Sequence, residues 1–270
     1  MDFIDPISPN QPQAPTSVEP AHSRAGEDPV FNLVDVVLIV VVAGFSLIFC
    51  GTIALAIFYA THSVGGDMKD LASNVLVFLP AQVVAYILTV GFMVALIWHK
   101  YRTGFLAAVR WNMPQAQLAW GAVALGALLG LASQLAAGLL QRWIPKSLPI
   151  DQYFRTPASA YALAAFGILV APVVEELFFR GFLYPALARP LGAVPAIALT
   201  AAGFALLHSQ QLADAWVPLL MLFAVGTILT VVRAKTKSVA VTVLIHMGYN
   251  FTLFALLFYA TQGFRHMERG

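Results

Sequence analysis

A few polar residues stand where an apolar chain should not carry them. Glu175, Glu176 and Arg180 lie in VAPVVEELFFRGFLYPAL, His208 closes ALTAAGFALLH, and His246 and Asn250 lie in VTVLIHMGYNFTLFALLF. Ionisable groups inside apolar runs are costly and mark functional sites by default. Their spacing adds geometry. Glu176 and Arg180 are four residues apart with the acid first, so on a helix they share a face and can pair. Glu175 is turned about 100° from Glu176 at 3.6 residues per turn. His246 and Asn250 are also four apart, and Phe204 stands one helical turn before His208. The other histidines (His22, His62, His99 and His266) fall in tails or at the ends of apolar runs, where water accounts for them.

These residue types support hydrolysis. A carboxylate facing an imidazole can orient a water and take its proton. A histidine N–H and an asparagine amide can donate to a developing oxyanion. A metal offers a second route, because Glu175, His208 and His246 make a workable three-ligand zinc set with a position open for water. The HExxH spacing that puts two ligands on one turn is absent. A cysteine nucleophile has little support, since Cys50 is remote from these residues and is the sole cysteine. The competing reading is a non-catalytic bundle in which the same residues make interhelical hydrogen bonds, as in an immunity or peptide-binding membrane module.

The elements that must hold these groups are helices in lipid. Of the 270 residues, 60% are hydrophobic and 10% charged, where a soluble domain carries roughly 25% charged residues. Strand-type alternation is absent, and a helix satisfies its own backbone polar groups in a bilayer. We therefore expect an all-α polytopic transmembrane bundle of about seven spans. The apolar runs are Val36 to Ala60, Val75 to Trp98 (interrupted by Pro80 and Gln82), Trp120 to Leu140, a long run from Ala158 through Pro172 to about Leu187, Ala193 to His208, Asp214 to Val232 and Val239 to about Tyr259. The long run exceeds a perpendicular span, so it is expected to tilt, to kink at Pro172 or to end in an amphipathic turn, and to turn back between Arg189 and Gly192. Gly126 and Gly130 have the GxxxG spacing, read here as close packing within the chain. Residues 1–33 are expected to be a disordered tail, given Pro6, Pro9, Pro12, Pro15, Pro20 and Pro29 among acidic residues. Residues 34–150 then form N-terminal spans, 151–264 the helical core that carries the polar set, and 265–270 a short tail. A net charge of +2 gives no reason to expect a nucleic-acid partner. Loop charges divide almost evenly between the two sides, so the positive-inside rule does not orient the bundle.

Three segments in order, Glu175-Glu176-Leu177-Phe178-Phe179-Arg180, Phe204-Ala205-Leu206-Leu207-His208 and His246-Met247-Gly248-Tyr249-Asn250, resemble the EExxxR, FxxxH and HxxxN motifs of one family. It is the CPBP family of intramembrane endopeptidases, also called the CAAX protease and bacteriocin-processing (Abi) family, which includes the type II CAAX prenyl endopeptidases. The resemblance covers about residues 155 to 262. It implies a helical bundle with a membrane-embedded cavity, with Glu175 as general base, His208 as its partner on water, and His246 with Asn250 at the oxyanion. Glu176 and Arg180, with Phe204, would be supporting residues that position the helix and His208. It also implies that no cofactor is required, with zinc as the alternative. The substrate would be a peptide or protein, with or without a lipid modification, met among membrane lipids.

Overall fold

The computed structural model describes residues 31–61, 74–213 and 215–266. The proline-rich stretch 1–30, the loop 62–73 and Asp214, at the expected start of one span, lie outside these residues.

Seven long helices carry the fold, and no strand occurs among the described residues. They are α1 (Leu33–Thr61), α2 (Val75–Leu96, continued by a π-helical segment Ile97–Tyr101), α3 (Ala116–Leu139), α4 (Pro157–Leu191), α5 (Ala193–Leu207), α6 (Trp216–Thr236) and α7 (Val239–Ala260). Six are long and apolar enough to cross a membrane; α5, with 15 residues, is shorter. The chain around α5 shows that it runs back along the bundle. It follows the turn at Gly192, and the Gln210–Leu212 turn beyond it packs on Pro149–Phe154 at the opposite end of the bundle. The reversal expected between Arg189 and Gly192 falls at Gly192, whose φ is +81°, and six of the seven expected spans are long and apolar enough to cross a membrane.

Local chemistry sets the helix ends. Thr156 caps α4 by accepting from the Ser159 N–H at 3.1 Å, and Ser238 caps α7 by accepting from Val241 at 3.3 Å. At α1, Asn32 and Asp35 cap reciprocally, each side chain accepting from the other's N–H at 3.0 Å. Asp35 also binds Lys100 and Tyr101, which fastens the start of α1 to the end of α2. The tail expected over 1–33 gives way earlier. Phe31 is buried and stacks on Phe182 with ring centroids 4.4 Å apart, so packed structure begins before residue 34.

Two features position the polar set. The glycine pair of α3 lets it lie directly against α7: a Cβ on Gly126 would stand 2.8 Å from the Tyr249 nitrogen, and one on Gly130 2.9 Å from the Thr252 Cβ. Gly248 answers from α7, where a Cβ would stand 2.5 Å from the Val123 carbonyl oxygen. The long α4 is continuous and not sharply broken at Pro172. It absorbs its length through two π-helical segments, Phe166–Val170 and Leu177–Leu183, on either side of the α-helical stretch Ala171–Glu176. Such segments in long helices concentrate at functional sites.

Candidate active site

The two adjacent glutamates of α4 have different surroundings. Glu176 is fully buried, and its Oε1 accepts from Arg180 Nη1 at 2.8 Å, the pair expected from their spacing. The same oxygen lies 3.0 Å from Nδ1 of His246 on α7. An ionised carboxylate held by a guanidinium is an acceptor, so Nδ1 carries the hydrogen and the ring is held in one orientation. His246 Nε2 is thereby turned toward Glu175, whose Oε2 is 3.9 Å away. Glu175 makes no hydrogen bond among the described residues, and its side chain is 12% exposed against 0% for Glu176. One carboxylate is a clamp, and the other makes only a long approach to the imidazole.

Arg180 is fully buried and doubly engaged. Nη2 donates to the Gly226 carbonyl of α6 at 2.9 Å, and the guanidinium lies 4.8 Å from the Phe204 ring centroid. Phe204 is the hub of the set. It contacts the His208 ring at 5.1 Å and the His246 ring at 5.6 Å, centroid to centroid. His208 is half-buried at the end of α5, and its Nδ1 lies 2.9 Å from the Phe204 carbonyl. A carbonyl only accepts, so Nδ1 carries the hydrogen here too and Nε2 is left to the surroundings. Asn250 Nδ2 donates to the Gly167 carbonyl at 2.6 Å.

All the residues singled out in the sequence therefore fall in one region, though not with every expected neighbour. Glu176 and Arg180 position His246 rather than His208. No nitrogen–oxygen pair within ion-pair distance joins Glu175 to His208; the imidazole nearest Glu175 is that of His246. One Asn250 hydrogen is already used on the helix backbone, which leaves the second for a ligand. Among the described residues no group of three His, Cys, Asp or Glu side chains is already gathered as a metal site.

Sequence reasoning passed over three contributors. Arg233 counted as a loop charge, yet it is fully buried and donates from Nε to the Arg180 carbonyl at 3.1 Å. Tyr86 of α2 stacks on Phe166 at 5.6 Å, accepts from Gln82 at 3.2 Å and lies within electrostatic reach of Glu175. Gln82, a polar interruption of the second run, was its visible signal. The Gly226 carbonyl had no signal, because nothing in a sequence marks a backbone oxygen as a ligand.

Residues 157–252 match the family described as type II CAAX prenyl endopeptidase, Rce1-like. Over this stretch, about a third of the chain, the sequence is similar to the CAAX protease family. Its bounds fall within the segment over which the motif resemblance runs, and they include Glu175, Glu176, Arg180, Phe204, His208, His246 and Asn250. The six helices long and apolar enough to cross a membrane make the chain an integral membrane protein, and the family matched over this stretch is one of endopeptidases. Comparison with curated proteins and with solved structures returns no match.

Proposed function

We propose that the protein is an intramembrane endopeptidase in which Glu175 activates the attacking water. The observation that carries this reading is the division of labour between neighbours: Glu176 Oε1 is engaged by both Arg180 and His246, while Glu175 has no hydrogen-bond partner among the described residues and faces an imidazole nitrogen. A carboxylate without a hydrogen bond beside an oriented imidazole is costly in lipid unless it has work to do.

In the proposed reaction a water donates one hydrogen bond to Glu175 and one to His208 Nε2. Its oxygen attacks the scissile carbonyl carbon as Glu175 takes the proton. The second hydrogen of Asn250 Nδ2 donates to the oxyanion, and His246, in its doubly protonated form, donates from Nε2. Collapse of the tetrahedral intermediate breaks the C–N bond, and Glu175 returns its proton to the departing amine. Phe204 separates the two imidazoles and keeps Arg180 away from the water. No step uses a metal. The matched family is described as a type II CAAX prenyl endopeptidase; for this chain the proposed substrate class is a peptide or protein reaching the site from the membrane, lipid-modified or not.

The test is cleavage of membrane-presented peptides by purified protein in lipid vesicles, comparing wild type with Glu175→Ala and His208→Ala. Both variants are expected to lose activity; equal turnover in all three would remove the mechanism. A strong chelator in the same assay is expected to leave turnover unchanged, and its loss with recovery on added zinc would favour the metal route. A non-catalytic module predicts instead that Glu175→Gln keeps full biological activity.

A further inference from the structure

Arg233 lies in the last turn of α6 beside Lys235 and Lys237, where a basic side chain ordinarily reaches water. Lys235 and Lys237 are exposed; Arg233 is 0% exposed. Gly226, Thr230 and Arg233 are four and three residues apart, so they share one face of α6. Gly226 brings that face close to α5, since a Cβ on it would stand 3.2 Å from the Phe204 ring and 3.3 Å from the Ala201 Cα. The Gly226 carbonyl then accepts from both Arg180 Nη2 at 2.9 Å and Thr230 Oγ1 at 2.7 Å. One face of α6 thus holds Arg180 twice: Gly226 holds its guanidinium, and Arg233 holds its backbone carbonyl at 3.1 Å.

The carbonyl that Arg233 holds belongs to the π segment Leu177–Leu183. The i→i+5 pairing of such a segment disturbs the regular backbone ladder, and a buried carbonyl in an apolar bundle requires a donor. The other π segment is held in the same way, by Asn250 on the Gly167 carbonyl at 2.6 Å. Each π segment flanking Glu175 and Glu176 is therefore pinned by a side chain from a different helix.

We propose that Arg233 is a positioning residue of the site. By holding the second π segment it sets Arg180, through Arg180 it sets Glu176, and through Glu176 it sets the ring of His246. Its importance for turnover rests on the protease reading; the chain of contacts does not. The experiment uses full-length protein in lipid nanodiscs with ¹⁵N-labelled histidine, comparing wild type, Arg233→Met and Arg233→Lys, with His246→Gln to assign the His246 ring signals. Methionine fills the volume without a donor. R233M is expected to displace the His246 Nδ1–H signal and to lower kcat roughly 10- to 100-fold with KM within about twofold. R233K, an ammonium with different reach, is expected to move both partway. A merely structural arginine would lower the melting temperature and leave the signal in place. An unmoved His246 signal in R233M overturns the proposal, and if R233M does not fold, an unmoved signal in R233K overturns it. If wild type cleaves nothing, the protease reading fails while the signal still decides the positioning role.

Discussion

At the scale of residues, two adjacent carboxylates of one helix serve opposite ends. The i,i+4 spacing of Glu176 and Arg180 is a local fact and holds at 2.8 Å. The partner of His246 is not local, because which of the two glutamates meets Nδ1 depends on how α7 is rotated and shifted against α4. Mutation should separate the roles. Glu175→Gln is expected to lower turnover by about 10²- to 10⁴-fold, the range for losing a general base, with little change in melting temperature because no hydrogen bond is lost. Glu176→Ala strands the buried Arg180 and is expected to cost about 3–5 kcal/mol, read as thermal unfolding in detergent. Arg233 shows where residue-level reading fails: among Lys235 and Lys237 it looks like a loop charge, and only its spacing from Gly226 and Thr230 hints at the buried face.

At the scale of elements, the tight α3–α7 contact sets where His246 and Asn250 stand. In lipid, helices associate through close backbone approach and interhelical hydrogen bonds rather than through hydrophobic exclusion. The GxxxG spacing of Gly126 and Gly130 was legible, but its partner was not, since the same device serves many pairings. The structure supplies the reciprocal glycine, Gly248, two residues from His246. Gly126→Ala is therefore expected to destabilise by about 1–3 kcal/mol through overpacking. Gly138→Ala, on the same helix with nothing within 4 Å, is expected to be neutral or to stabilise by up to about 1 kcal/mol. Paired thermal melts check this. The π segments of α4 were not legible, because its residues Phe166–Val170 and Leu177–Leu183 are ordinary helix formers in a membrane. Only cross-helix donors at Gly167 and Arg180 make the wider turns worth forming.

At the scale of the whole molecule, seven helices running back and forth place the loops on two faces. One face joins the Arg110–Asn112 loop to the start of α7, with Val239 donating to the Arg110 carbonyl at 3.0 Å and Asn112 donating to the Lys237 carbonyl at 3.0 Å. The opposite face holds the Trp143–Trp216 contact at 6.3 Å and the Tyr161–Phe264 contact at 5.2 Å. Single cysteines in a Cys50→Ala background test this. Those at Arg102, Arg189 and Lys235 are expected to react with an impermeant maleimide from one side of sealed vesicles, and those at Lys146 and Arg265 from the other. The short α5 reaches about 22 Å with its 15 residues, less than a hydrocarbon core of about 30 Å, and His208 stands at its end.

Composition alone determined that this chain lives in lipid as helices, because so few charges cannot clothe a soluble globule and a helix closes its own hydrogen bonds. Period 3.6 alone determined which polar residues share a face. The tertiary structure decided which glutamate clamps His246, which glycine meets Gly126 and why Arg233 is buried. Those outcomes depend on how one helix slides and rotates against another, and that offset is set by packing summed over whole helix faces rather than by any local run of residues.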